Sequence, residues 1–275
     1  MQEEKQELVE EGFPKKQETE PVPHWTSRLP KGKWTIALVV LQVVVYVVTC
    51  VVEEPSLTPE RIALLKVGLV QKQYISCAAC GYVLELRRLI VPIFLHLSVF
   101  HLASNVVFQL LVGTQIETAL GSKKFLIVFF AAGVVGNLLA AATGETSAGA
   151  STACYGLLGV GLTTTWLQWP TMAPATQLET KNRLTRELVW LLVWEIAGWY
   201  YLAHFGHLGG LIAGICVTLL ISETDCPRSA RMQRFAKLAL FAVSTTACTL
   251  ILFVPAMKNF TAAKSKCDSL MYIYQ

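Results

Sequence analysis

The sequence has 275 residues, of which 53% are hydrophobic and only 15% are charged, and its mean hydropathy is +0.49. A soluble domain of this length carries roughly a quarter charged residues, so the composition indicates a membrane protein and argues against an ordinary soluble enzyme. The formal net charge of +4 does not call for a nucleic-acid partner, because the basic residues cluster at the ends of apolar segments.

The chain begins with a charged segment, residues 1–33, that holds seven Glu and six Lys or Arg residues. It has neither the apolar core of a secretory signal nor the acid-poor composition of a transit peptide. We predict that this segment is a disordered cytosolic tail.

Seven windows of mainly apolar residues follow the tail, each able to cross a hydrocarbon core of about 30 Å as a helix. They are 34–52, 89–112, 125–142, 149–168, 188–202, 205–221 and 238–257. The fifth window reaches full length only with its flanking residues. The sequence therefore predicts an all-α polytopic membrane protein, with a membrane domain at 34–257 and a tail at 258–275.

Lys and Arg are distributed unevenly between the two sides of these spans. If the N-terminus is cytosolic, 15 of the 23 basic residues lie in cytosolic segments. The positive-inside rule favours this orientation. With seven spans, the C-terminus then lies in the lumen or outside the cell.

The long outer loop contains Cys77 and Cys80, which form a single CxxC pair. A structural zinc site needs a second pair of ligands, and the chain has no second CxxC. We therefore expect no metal and no other cofactor. A disulfide among Cys77, Cys80 and Cys267 stays open.

Polar residues of three spans are predicted to share one depth in the membrane. Ionisable side chains are costly there and usually mark function. Spans two, four and six run from outside to inside. At a rise of 1.5 Å per residue, His101, Ser151 and His207 fall in the outer half of the bilayer, with His101 roughly 12 residues into its span. This shared depth predicts a water-accessible pocket in which a serine meets a histidine.

Spacing along the helices supports such a pocket. His101 and Asn105 are four residues apart and share a helical face, as do Ser151 and Tyr155. A ridge of small residues on span six permits close backbone approach and consists of Gly206, Gly210 and Gly214. Close approach would let the short serine side chain reach an imidazole. Alternatively, the serine only packs between helices and the histidines only form interhelical hydrogen bonds.

No acidic residue is predicted to complete a triad. The two aspartates, Asp225 and Asp268, lie outside the spans. Glu145 lies in the outer loop before the serine, and Glu195 lies near the middle of span five, where we expect it to hydrogen-bond within the bundle.

The residues therefore favour a dyad in which His207 accepts the proton of Ser151 and passes it to the leaving amine. The backbone N–H of Ser151, together with His101 and Asn105, would donate to the oxyanion.

Four stretches, in this order and spacing, resemble the rhomboid intramembrane serine proteases: ELRRLIVPIFLHLSVFHLASN, GTQIETALG, GAST and AHFGHLGGLIAG. They cover spans two to six, about half of the chain. The motifs are specific in combination. They include HxxxN at His101 and Asn105, and GxxxExxxG at Gly113, Glu117 and Gly121.

The resemblance implies a protease that cuts single-span membrane proteins near the outer end of their transmembrane helix. Ser151 would be the nucleophile. The base would be His207, because Gly210 and Gly214 follow it at the family's spacing. His101 and Asn105 would support the oxyanion.

The resemblance also implies supporting roles for several residues outside the dyad. Gly149 would open the serine motif, and Tyr155 would pack against the ring of His207. Arg88 would order the first loop, and Glu117, between Gly113 and Gly121, would anchor the cytosolic end of span two.

The implied partners are transmembrane protein substrates and the lipid bilayer, with no nucleic acid. Substrate would enter sideways between spans two and five. Six core spans and a C-terminal seventh are similar to the eukaryotic secretory-pathway members of the family. This implies a place in the secretory pathway or the plasma membrane.

Two residues depart from the family pattern. Arg87 stands where a tryptophan is usual, and Thr152 replaces the second glycine of the usual GxSG motif. A β-branched side chain at 152 would take space beside the nucleophile. It favours the alternative of a catalytically inactive membrane chaperone or trafficking factor that binds transmembrane helices. The retained Ser151 and His207 favour an active enzyme.

Overall fold

The structure is a computed structural model that describes residues 32–51, 57–70, 76–77, 83–200, 202–222 and 227–253. Only the backbone is described for 76–77, 83–84, 227–230 and 252–253. Nearly all of the predicted N-terminal tail, the whole tail 258–275, Cys80 and Cys267 lie outside the described residues.

The regular secondary structure of the described ranges is helical apart from one short hairpin and an isolated β-bridge between Val70 and Ser147. They contain helices α1 (Lys33–Val51), α2 (Arg61–Val67), α3 (Val99–Phe108), α4 (Thr114–Leu120), α5 (Ser122–Thr143), α6 (Ser151–Gln168), α7 (Pro174–Ala197), α8 (His204–Ile221) and α9 (Pro227–Phe253). The hairpin pairs β1 (Ser76–Cys77) antiparallel with β2 (Val83–Leu84). Short 3₁₀ turns span Leu86–Leu89, Val91–Phe94 and Trp169–Thr171, and a π-helical turn, Gln109–Gly113, joins α3 to α4.

Five stretches in the described ranges are long and apolar enough to cross a membrane: Lys33–Val51, Val99–Leu120, Ser122–Thr143, His204–Ile221 and Arg231–Ile251. They correspond to predicted spans one, two, three, six and seven. Predicted spans four and five fall on α6 and α7, which are more polar because α6 carries three threonines at 163–165 and α7 begins with a charged half. The all-α polytopic architecture is confirmed, and the count of seven stays a prediction.

The helix of span two begins later than predicted, at Val99 and not at residue 89. The preceding chain forms two 3₁₀ turns, and Ser98 caps α3 by accepting the backbone N–H of His101 at 3.2 Å. His101 is therefore the third residue of α3, not about 12 residues into a span. His96 lies in the turn before the helix.

The limits of α7 also differ from the predicted window 188–202. The helix begins at Pro174, a residue favoured in the first helical turn, and it ends at Ala197, where Gly198 follows. Glu195 consequently lies two residues from the end of α7, and the prediction that it lies near mid-span is wrong.

Close backbone packing joins α8 to α5 and α6, and α9 packs on α5 and α8. A Cβ atom added at Gly210 would lie 2.0 Å from the carbonyl oxygen of Thr152, and one added at Gly214 would lie 2.1 Å from that of Gly156. Two glycines of the ridge, Gly210 and Gly214, are therefore in direct contact with the backbone of α6, whereas Gly206 faces α5, where an added Cβ atom would lie 3.2 Å from Cβ of Ala140.

Glu117 of α4 ties together the starts of two other helices. Its carboxylate accepts the backbone N–H groups of Trp34 and Thr35 at 3.1 and 2.8 Å and the hydroxyl of Thr35 at 2.9 Å. It also accepts the hydroxyl of Ser122 at 2.8 Å. These bonds satisfy donors in the first turn of α1 that no helical carbonyl can reach.

The first loop is organised around Arg88, whose side chain is buried. Its guanidinium donates to the carbonyl oxygens of Leu65 and Leu69 at 3.0 and 2.9 Å and pairs with Glu85. Arg87 lies on the outside of this turn and donates to the carbonyl of Val67 at 3.1 Å. The chain before α3 is thereby held against α2.

Candidate active site

Ser151 and His207 meet at the first turns of α6 and α8. The Nε2 atom of His207 lies 2.8 Å from Oγ of Ser151. Ser151 is the first residue of α6 and half-buried, and His207 is the fourth residue of α8 and 4% exposed. At this distance the imidazole can accept the serine proton and leave an activated alkoxide.

The ring of Tyr155, one turn after the serine, stacks on one face of the His207 imidazole. The rings of Tyr155 and His207 stack with centroids 4.4 Å apart and an angle of 10° between their planes. The tyrosine hydroxyl donates to Oε2 of Glu195 at 2.8 Å. The ring of His207 is thus fixed by stacking as well as by hydrogen bonds.

Glu195 contacts the second ring nitrogen of His207, and this contact was not predicted from the sequence. Its Oε2 atom lies 2.7 Å from Nδ1 of His207, and its Oε1 atom pairs with Nδ1 of His204. The aromatic run at 199–201 directly after Gly198 was the available signal, since aromatic residues mark the interface at the ends of membrane helices. If span five is taken to end at Gly198, Glu195 lies close to the outer end of the span, at the level of the serine.

The loop before the nucleophile lies against His101. Gly149 has φ +114°, and a Cβ atom there would lie 2.6 Å from Cε1 of His101, so both the backbone conformation and the contact require glycine. The N–H of Gly149 donates to the carbonyl of Pro92 at 2.8 Å. This bond anchors the loop that positions Ser151.

Candidate oxyanion donors surround the serine. Nε2 of His101 is buried and has no hydrogen-bond partner among the described residues. Nδ2 of Asn105 donates to the carbonyl of His101 at 3.0 Å. Ser151 opens α6, so no preceding helical turn can accept its backbone N–H. Such donors suit an oxygen that becomes negative during acyl transfer.

A cavity of about 340 Å³ lies between α3 and α7 and ends at the serine. Its polar end is formed by His101, Asn105, Ser151, Tyr155, Glu195 and His207. Its apolar walls include Phe100, Phe108, Trp190, Leu191 and Trp194. The arrangement suits an extended, mainly apolar ligand with one reacting polar group.

Glu145 caps α8 and does not contact the imidazole. Its two carboxylate oxygens each accept one N–H, from Phe205 and from Gly206, at 3.2 Å. A carboxylate at this end of a helix stabilises both the free N–H groups and the dipole. Glu145 thereby holds the turn that carries His207.

Seven of the site residues predicted from the sequence do not line the cavity: Arg88, Gly113, Glu117, Gly121, Gly149, Gly210 and Gly214. A Cβ atom at Gly113 would lie 3.2 Å from Cγ2 of Thr35, so this glycine packs on α1. Gly121 forms the turn between α4 and α5 with φ +79°.

Thr152 is buried and packs against α5. A Cβ atom added at Gly136 of α5 would lie 2.7 Å from Cβ of Thr152, so the glycine makes room for the threonine. The hydroxyl of Thr152 has no partner among the described residues. The threonine side chain therefore fills space between α6 and α5, whereas the sequence predicts that it takes space beside the nucleophile.

Replacing Thr152 by glycine is expected to lower the free energy of unfolding by about 1–3 kcal/mol, because it leaves a cavity against Gly136. Cleavage or labelling of the serine should change by less than threefold. Thermal unfolding in detergent, with Thr164→Gly on the same helix as the control for lost helix propensity, measures the first effect. A tenfold gain in activity with unchanged stability would mean that Thr152 crowds Ser151.

Comparison with known proteins identifies one family to which the chain is similar. The model of the Rhomboid domain matches residues 83–224. Rhomboid-like protease 3 of Toxoplasma gondii is 28% identical over 214 residues, which cover 76% of this chain and 78% of that protein.

Two further relatives bear similar names. Rhomboid-like protease 1 of Toxoplasma gondii is 30% identical over 224 residues, 79% of this chain and 74% of that protein. Rhomboid protease GluP of Bacillus subtilis (strain 168) is 31% identical over 134 residues, 47% of this chain and 25% of that protein. The matched domain includes both Ser151 and His207.

Proposed function

The chain belongs to the rhomboid family, and from that premise we propose that it is an intramembrane serine protease. It hydrolyses a peptide bond of single-span membrane proteins near the outer end of their transmembrane helix. The observation that carries the proposal is the 2.8 Å contact between Oγ of Ser151 and Nε2 of His207 at the end of an apolar cavity.

In the first step, Oγ of Ser151 bonds to the carbonyl carbon of the substrate while its proton moves to Nε2 of His207. The π electrons of the carbonyl move onto oxygen, which the N–H of Ser151, His101 and Asn105 stabilise. The carbon–nitrogen bond then breaks, and His207 returns the proton to the leaving amine. Water hydrolyses the resulting acyl-enzyme by the same two steps, with His207 again moving the proton.

The chain is an integral multi-pass membrane protein. In our proposal α6 and α7 are spans four and five, which brings the total to seven with the five apolar helices. The N-terminus is cytosolic, and the C-terminus faces the lumen or the exterior, as the excess of basic residues on the cytosolic side supports. We place the protein in the secretory pathway or the plasma membrane.

The proposed substrate path passes between α3 and α7. The cavity that ends at Ser151 lies between these helices, and its walls carry Phe100, Trp190 and Trp194. The outward face of α7 is apolar and exposed, with Leu192 and Val193 more than half exposed. These features suit a transmembrane helix that approaches from the lipid.

Covalent labelling with a fluorophosphonate tests for an activated serine. We expect labelling of the wild-type protein in liposomes, none in Ser151→Ala, and at least a hundredfold slower labelling in His207→Ala because the base is lost. Ser222→Ala, at the far end of α8, is the matched control and should label like the wild type.

A folded wild-type protein that neither labels nor cleaves a single-span substrate would overturn the proposal. It would favour the alternative of a rhomboid-like factor that binds transmembrane helices without cutting them. A binding assay with the same substrate helix would then measure that alternative directly.

A further inference from the structure

We infer that Glu195 is a positioning residue for His207, so that the site uses a Ser–His–Glu arrangement and not a dyad. The inference rests on the proposed function, because it assigns a role within the same reaction. The observation that carries it is the position of one carboxylate on the nitrogen of His207 that faces away from the serine.

The contacts form an unbroken chain from the nucleophile to α7. Oγ of Ser151 lies 2.8 Å from Nε2 of His207, and Nδ1 of the same ring lies 2.7 Å from Oε2 of Glu195. Tyr155 stacks on the imidazole and donates its hydroxyl to the same Oε2 at 2.8 Å. The stacked ring of Tyr155 therefore limits the rotation of the His207 ring, and the carboxylate of Glu195 limits its tautomer.

The carboxylate selects the tautomer that the reaction needs. An ionised carboxylate only accepts hydrogen bonds, so Nδ1 of His207 must carry the hydrogen that it donates to Glu195. In the neutral ring the lone pair is then on Nε2, facing the serine hydroxyl. Without an acceptor at Nδ1, the ring would also adopt the other tautomer, in which the N–H at Nε2 faces the serine. That tautomer cannot accept the serine proton.

The same carboxylate stabilises the charged form of the base. When Ser151 loses its proton, the ring becomes an imidazolium in the first turn of α8. There the positive end of the helix dipole opposes a cation. The negative charge of Glu195 at 2.7 Å offsets this repulsion at the moment when the charge develops.

His204 supplies the counter-charge that keeps Glu195 ionised. Nε2 of His204 lies 2.8 Å from the carbonyl oxygen of Trp199, which only accepts, so this nitrogen carries a hydrogen. Nδ1 of His204 contacts Oε1 of Glu195. An ionised Glu195 thus requires His204 to be an imidazolium, and the pair is neutral overall. Oε2 remains available for His207 and Tyr155.

The position of Glu195 on its helix argues against a purely local structural role. A negative charge two residues before the end of α7 faces the negative end of that helix's dipole, which is unfavourable. An intramembrane carboxylate is costly as well. Its partners are Tyr155 on α6 and His204 and His207 on α8. These are the two helices that carry the reacting serine and histidine.

The kinetic test is Glu195→Gln, which keeps the shape and removes the charge. We expect kcat for a single-span substrate in liposomes to fall by about 10²–10⁴, since replacing the acid of a Ser–His–Asp triad by its amide costs about 10⁴. KM should stay within threefold, because the amide occupies the same volume in the cavity. Glu179→Gln, an exposed acid-to-amide change on the same helix, is the matched control and should match the wild type.

A spectroscopic test reads the tautomer without substrate. In protein with ¹⁵N-labelled imidazoles, comparison with His207→Ala assigns the signals of His207 among the five histidines of the chain. We expect a protonated Nδ1 and an unprotonated Nε2 in the wild type, and a mixture of tautomers in Glu195→Gln. A structural role confined to packing would leave this spectrum unchanged.

Two results would overturn the inference: a wild-type His207 with its proton on Nε2, or a kcat of Glu195→Gln within threefold of the wild type. If Glu195→Gln fails to fold, the wild-type spectrum still decides. If the wild type neither cleaves nor labels, the proposed function fails, whereas the tautomer of His207 still tests the role of Glu195.

Discussion

Replacing Ser151 by alanine is expected to reduce cleavage of a single-span substrate by about 10⁵–10⁶-fold, and replacing His207 by alanine is expected to cost nearly as much. The double variant should be no slower than either single variant. The two side chains act as one unit across a 2.8 Å contact, and in such units the removal of either member already removes the covalent pathway. Single-turnover cleavage in liposomes measures all three rates.

Thermal unfolding of the same samples shows whether each variant is folded, and Ser222→Ala serves as the matched serine control. Losses that multiply in the double variant would mean that Ser151 and His207 contribute independently. A residual rate above about 1% in Ser151→Ala would mean that another group is the nucleophile, since loss of the nucleophile alone costs far more than this.

Gly210→Ala is expected to lower kcat by at least about 10²-fold. The added methyl group would lie 2.0 Å from the carbonyl oxygen of Thr152, and a helix backbone can relieve that overlap only if α8 moves away from α6. The movement separates His207, three residues before Gly210, from Ser151, one residue before Thr152. A misplacement of about 1 Å costs on the order of 10²-fold in a catalytic geometry.

Gly161→Ala is the matched control, because it makes the same chemical change on α6. Its added methyl group would meet only the ends of flexible side chains, with Cδ2 of Leu184 nearest at 3.2 Å. We expect its activity to stay within threefold of the wild type, and its stability to be maintained by the better helix propensity of alanine. Equal losses in both variants would show that the distance between α6 and α8 does not limit the reaction.

Helix ends explain why the acid beside His207 was not found from the sequence. Apolar windows mark where spans occur but not their limits, since α3 begins ten residues after the start of the window that predicts it. The turn at Gly198 ends α7 five residues before the end of the predicted window, and it brings Glu195 to the level of the serine. Hydropathy does not record such limits, because they depend on caps and turns that the rest of the fold holds in place.

The environment of Thr152 also depends on a distant residue. The β-branched side chain breaks the serine motif of the family, and from the sequence alone it predicts crowding at the nucleophile. The room for it comes from Gly136, on a different helix. Such compensation between positions far apart in the chain is visible only once the helices are packed.

Composition and motif spacing were enough to identify a helical membrane protein of the rhomboid family, because apolar length and small, local residue patterns are properties of the chain itself. The sequence also predicts the pairing of Ser151 with His207, 56 residues apart, but the 2.8 Å distance between them and the addition of Glu195 required the packed structure. The physical reason is that a change of a few tenths of an ångström in the distance between two helices is enough to weaken a hydrogen bond between them. Those distances are set by the glycine contacts, caps and helix ends of the assembled bundle.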